Sequence, residues 1–189
     1  MRGFESSTLI KTRKASFAVS AISRQKGAYA VEFAFVFIIF FLVLYGMITY
    51  GLIFAAQQSM NFAAESGARA GLQWQAGASA PALVARAGKA LEVAKDHTAW
   101  VDNMAGGNKL KIAVCGGEPI QLLDSLNGAD ATLCSITDTN KLEVVIRYPY
   151  ALHPMIPYLG PSAVMSVAVP DTLESRTSVD LGIALDHSS

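Results

Sequence analysis

The sequence has few of the residues that chemistry at a site requires. Its three histidines, His97, His153 and His187, are scattered. None stands at ligand spacing from Cys115 or Cys134, the only two cysteines, so no metal site is marked. Gly106-Gly107 and Gly116-Gly117 lack the following helix and lysine that a phosphate-binding loop needs. A nucleophile elbow, an HExxH pair and a paired acidic motif are also missing. These absences argue against an enzyme and against a bound cofactor. An exported, membrane-anchored enzyme, the weaker alternative, would have to assemble acids such as Glu118 and Asp124 from separate loops. Charge is absent over one long stretch as well, for no charged residue occurs between Glu32 and Glu65.

That gap contains the feature around which the chain is organised. Residues 33–56 are apolar apart from Tyr45, Gly46, Thr49, Tyr50 and Gly51. At about 1.5 Å per residue this run reaches roughly 36 Å as a helix, enough to cross a hydrocarbon core of about 30 Å with some tilt. Soluble core helices rarely stay apolar on every face for so long. The formal charge of zero hides a split: residues 1–26 carry six basic groups against Glu5, and residues 27–189 carry nine against fourteen acids. A leader at +5 and a remainder at −5 orient the helix, with the N-terminus cytoplasmic and everything after Ala56 exported. The leader's charges lie among serines and threonines without interleaved aromatics, which favours a topogenic role over nucleic-acid binding. A removable secretory signal fits poorly, because the run is about twice the usual core length.

The residues before the run make it more specific. Arg24-Gln25-Lys26-Gly27 ends a basic leader at a glycine, and Glu32 follows as a lone carboxylate five positions on. This resembles a type IV prepilin processing site, in which a membrane aspartyl peptidase cuts after the glycine and the fifth mature residue is glutamate. The matching positions are Gly27 before the cut, Ala28 as the new N-terminus and Glu32 as the fifth mature residue. Major type IV pilins begin with phenylalanine, and the alanine here points to the tight-adherence (Tad or Flp) branch. The words Gly27-Ala-Tyr-Ala-Val-Glu-Phe-Ala34 and Ala64-Glu-Ser-Gly-Ala-Arg-Ala70 are similar to those of the TadE family of pilin-like proteins. The resemblance covers residues 25–72. It implies a minor subunit or assembly factor of a Tad/Flp pilus and secretion system in the bacterial inner membrane. Its partners would be the membrane, a prepilin peptidase, other pilin-like subunits and pilus assembly proteins. It also implies a role for Glu32, whose carboxylate would neutralise the Ala28 amine of a neighbouring subunit. Glu32 has a second reading, since a carboxylate this near the helix start can snorkel to the headgroups or hold a proton.

The division expected is a leader over 1–27, a membrane helix over 28–56 and an exported domain over 57–189, too small for a second core. The pattern predicts that the helix continues to Trp74. Gly67-Ala-Arg-Ala-Gly71 has the small-xxx-small spacing that lets helices approach, more simply within the chain than between subunits. After a hinge over 75–80, Ser79 and Pro81 can start a second helix that ends near Asp96. Residues 101–108 read as a turn, and strands are expected over 110–114, 142–148 and 163–169, with a possible edge over 178–185. The fold class is α+β, a long helix with a second helix and an antiparallel sheet.

Cys115 and Cys134 both fall in the exported part, where an oxidising compartment favours a disulfide over two buried free thiols. Residues 148–161 hold four prolines among apolar and aromatic residues. That composition forbids a regular helix or central strand. It permits an interfacial segment with Tyr148, Tyr150 and Tyr158 at headgroup depth, a docking surface for a subunit, or a loop folded over its own sheet. An unprocessed, signal-anchored interaction domain stays open as the alternative to a pilin-like subunit.

Overall fold

The computed structural model describes residues 26–73, 82–159 and 169–181. Helix α1 spans Lys26–Gly71 and helix α2 spans Ala82–Met104. Four strands follow, β1 (Lys111–Gly116), β2 (Gln121–Leu126), β3 (Lys141–Tyr148) and β4 (Leu173–Asp180), with one turn of 3-10 helix over Ala131–Leu133. The strands form one antiparallel sheet in the order β2-β1-β3-β4. This is the α+β arrangement of two helices and an antiparallel sheet that the sequence pattern predicts.

The chain divides into two compact units after Tyr45. In the first, every side chain of α1 from Tyr29 to Leu44 is exposed. Phe33, Phe37 and Phe41 recur one helical turn apart and stack with ring centroids 6.0 and 6.4 Å apart.

In the second unit, the rest of α1 is half of a helical layer. Ile53, Ala56, Met60, Ala63, Ala64 and Ala68 of α1 are buried with Ala87, Ala90, Ala94 and Val101 of α2 against one face of the sheet. That face presents Ile112, Val114, Leu142, Val144, Ile146 and Tyr148, alternate residues of the two central strands. Intervening residues Ala113, Cys115 and Val145 are buried on the other face beneath Ala129 and Leu133. Gln57 ties α1 to the edge strand by donating to the Glu174 carbonyl at 2.9 Å.

Small residues let the helices touch backbone to backbone. A Cβ added at Gly67 would lie 2.8 Å from the Ala90 carbonyl oxygen and 3.1 Å from Ala94 Cβ, and one at Gly71 would lie 2.4 Å from Leu142 Cδ2. The Gly67–Gly71 spacing therefore serves packing within the chain. Gly67→Ala should destabilise the domain by about 1–3 kcal/mol through overpacking, less up to about 1 kcal/mol of helix propensity. Gly51→Ala, where a Cβ meets nothing within 4 Å, should be neutral or mildly stabilising. Comparing thermal unfolding of the two variants in the same micelles checks this, and an unaffected Gly67→Ala would show that the helices can part at no cost.

Three elements differ from the sequence pattern. Helix α2 runs past Asp96 to Met104, because Thr98 turns its hydroxyl back to the Ala94 carbonyl (2.8 Å) and Val101 reaches the core. Asp102 then stops the chain by accepting from the backbone N–H groups of Asn108, Lys109 and Leu110 at 2.8–3.0 Å. Burial opposes its charge, but those three donors prevail and hold its carboxyl below the ordinary range. Residues 121–126, where the sequence pattern marks no strand, are strand β2. The last strand begins at Leu173, ahead of the expected edge. Of the strand expected over 163–169 only Val169 is described, buried in a bend. The hinge with Ser79 and Pro81 lies outside the described residues.

The proline-rich segment folds over its own domain. Tyr148 and Tyr150 are fully buried with rings edge to face at 6.1 Å, and Tyr148 donates its hydroxyl to the His153 carbonyl. Burial pushes the Tyr148 phenol up to about 12. These two tyrosines are core residues and do not present their rings at the surface. Tyr158 is half-buried against the same core.

Candidate functional site: the N-terminal helix

Gly27 lies in the first turn of α1, exposed, with nothing within 4 Å of a Cβ built on it. Ala28 follows, and Glu32 stands one turn further on, about 6 Å along the axis. Glu32 is exposed and has no ion-pair or hydrogen-bond partner among the described residues. Its neighbours in the helix are Tyr29, Phe33, Phe35 and Val36, so it is the single carboxylate on an otherwise apolar surface. Beside it, Ala30 and Ala34 repeat one turn apart and leave a shallow groove of about 350 Å³ with Val31, Phe35 and Ile38. Small side chains at this spacing let a second helix approach closely in lipid. In chemical terms the segment offers an accessible glycyl peptide bond, an uncompensated charge and an apolar surface. It holds no nucleophile or ligand set.

The structure joins Cys115 and Cys134, with Cα atoms 5.7 Å apart, pinning β1 to the segment after the 3-10 turn. The sequence reading missed the polar network beside this bridge. Glu143, opposite Cys115 in the β1–β3 register, is only 4% exposed. Its carboxylate accepts from the Ser135 backbone N–H (2.9 Å) and hydroxyl (2.8 Å) and lies 3.5 Å from Arg176. Arg176 donates to the Leu133 carbonyl and to Ser135 Oγ, and Glu174 joins it to Arg147. Burial raises the Glu174 carboxyl, yet Arg176 and Arg147 outweigh that and hold it below its usual range. The available signal was the alternation of Glu143 with Arg147 and of Glu174 with Arg176 on residues that share one sheet face. Glu143 and Arg176 hold the segment 133–136 on the sheet, and Glu174 ties Arg176 to Arg147. Among the described residues no three His, Cys, Asp or Glu side chains come together to hold a metal.

Residues 27–69 match the family model described as TadE-like protein, a component family of Tad pilus systems that is not known as enzymatic. The matched stretch is α1 almost from end to end and includes Gly27, Ala28 and Glu32. No curated protein and no solved structure matches the chain.

Proposed function

We propose that this chain, whose α1 carries a TadE-like domain, is a pilin-like minor subunit or assembly factor of a Tad/Flp pilus and secretion system. In this reading it is held in the bacterial inner membrane by one helix. A prepilin peptidase cuts after Gly27, which removes the basic leader and leaves a positive amine on Ala28. The exported domain keeps a net negative charge, and α1 packs among the helices of other subunits. One observation carries the reading: the family match coincides with a helix that is bare on all sides from Tyr29 to Leu44 and bears a single carboxylate at Glu32. A helix exposing that much apolar surface needs lipid or other helices around it.

The two charges would work as a pair. In a low-dielectric medium an amine and a carboxylate attract far more strongly than in water, and a carboxylate left alone there is costly. A neighbour's Glu32 seated on the Ala28 amine would satisfy both, and a slip of one residue would separate them. The pair would thus check the register between subunits.

Co-expression with a prepilin peptidase tests the first step. The membrane-bound protein should lose residues 1–27 and begin at Ala28, read by intact mass and N-terminal sequencing. Gly27→Leu should abolish the cut by removing the small residue before it. A mature protein that still begins at Met1 would replace this reading with an unprocessed, signal-anchored interaction domain.

A further inference from the structure

Antiparallel packing of α1 and α2 fixes a level on the folded domain. Gly67 lies against Ala90 and Ala94, and Phe62 is edge-on to the His97 ring at 4.8 Å. Ser59 donates to the His97 carbonyl and accepts from Trp100 Nε1, both at 2.9 Å. One more turn of each helix brings Met104, the last residue of α2, level with residues 55–56, where the uncharged apolar run ends. The turn that follows α2 and the start of β1 therefore stand at the end of the domain from which the run departs. Lys111 pairs with Arg147, so the end of β3 and the segment after it stand there too.

The side chains at this end differ from those of the rest of the chain. Trp100, Met104 and Leu152 are exposed, Leu152 by 76%. A cavity of about 520 Å³ opens among Lys109, Lys111, Arg147, Pro149 and Leu152, with Asp130 the one acid among its described lining residues. Asp130 is engaged by the backbone N–H and the hydroxyl of Thr132. Arg147 commits Nε to Glu174 at 2.8 Å, whereas Lys109 and Lys111 have no ion-pair partner among the described residues. The lining itself carries three cations and one carboxylate, with Glu174 matched to Arg147 and Asp102 acting on Lys109 from beside it. Cations beside an exposed Leu, at one level with an exposed Trp on α2, are what a membrane-facing end carries.

We propose that this end of the domain is a membrane-surface site that seats the phosphate of an anionic phospholipid between Lys109, Lys111 and Arg147 while Trp100 and Leu152 enter the interfacial layer. The inference rests on the membrane-spanning reading of α1. The commitment to lipid, over a soluble anion or an acidic peptide, comes from the level of the cavity: it opens where the apolar run ends, within reach of headgroups.

The test uses the full chain with Trp74→Phe, which leaves Trp100 as the sole indole, in nanodiscs with and without phosphatidylglycerol. Lipids brominated on the acyl chain should quench Trp100. Native mass spectrometry should find phosphatidylglycerol retained on the released protein, reduced roughly tenfold or more in the variant Lys109→Gln/Lys111→Gln. Unquenched Trp100 in a chain that carbonate cannot extract would overturn this inference and leave the membrane span standing, whereas extraction by carbonate would overturn both. Retention unchanged in the double variant would also overturn it. So would equally tight binding of inorganic phosphate or polyglutamate to the micellar protein, which would assign the cavity to a free anion or to an acidic protein partner.

Discussion

Glu32→Gln should leave membrane insertion and cleavage after Gly27 close to wild type while lowering crosslinking to other pilin-like subunits by roughly tenfold or more. The amide keeps the size of the carboxylate and is cheaper to place in an apolar medium than a charge, so nothing upstream of assembly should suffer. Assembly should suffer because Glu32 has no partner among the described residues of its own chain. Its expected partner is the amine on a neighbour's Ala28, created by the cut, and one unit of attraction across a low-dielectric contact is several kcal/mol before screening and relaxation reduce it. Tenfold corresponds to only about 1.4 kcal/mol, a small part of that. A glutamate that merely snorkels to the headgroups gives the opposite result, silent in assembly and neutral or better in insertion. The measurement is paired, the processed fraction beside subunit crosslinks or surface pili, in cells that make only the variant. Normal processing with unchanged assembly would remove the pairing role and leave the cleavage site intact.

The helix was legible because its signal is redundant. From Phe33 to Ala64 no position carries charge, so no choice of face or period was needed to read it. The central strands were legible for the opposite reason, since Ile112 with Val114 and Leu142 with Val144 and Ile146 mark a single face by alternation. β2 was hidden by its own composition. Leu122 and Leu123 read as one apolar step between Gln121 and Asp124, yet on the strand they part, Leu122 to the disulfide side and Leu123 to the helix side. Strand preference there comes from pairing with β1, which local propensity does not report. The tyrosines of the proline-rich segment misled in a related way. Prolines correctly ruled out regular structure, but whether Tyr148 and Tyr150 face lipid or core depends on a chain reversal that folds them onto the sheet. The network of Glu143 and Arg176 joins residues from three separate stretches, so the alternation of its charges along β3 and β4 does not show which stretch they hold. Gly27, Ala28 and Glu32 are different again: the structure gives the exposure of Gly27 and Glu32, and the roles of all three come from the likeness to processed pilins.

Replacing both cysteines, Cys115→Ala/Cys134→Ala, should destabilise the folded domain by about 3 kcal/mol, the chain-entropy expectation for a bridge spanning about twenty residues. In a domain of this size that lowers the thermal midpoint by roughly 10 °C. The bridged stretch is not a slack loop, since it contains β2, which is hydrogen-bonded to β1 from Ile112↔Leu126 to Gly116↔Gln121. The loss should therefore concentrate after Leu126, where one 3-10 turn, the Asn127 side chain on the Leu110 carbonyl, the Glu143 bonds to Ser135 and Ile136 and the Arg176 contacts hold residues 127–136 on the sheet. Ala113, Cys115 and Val145 are buried under that cover, so its loosening would expose apolar surface over the two central strands. Hydrogen exchange should accelerate first in 127–136, with α1, α2 and β3 still protected, and cleavage after Gly27 should be unaffected. Reducing agent should reproduce the effect in the wild-type protein. Full labelling of both thiols in protein denatured directly from an oxidising compartment would show that the bridge is not made there, and the variant's stability would then match wild type.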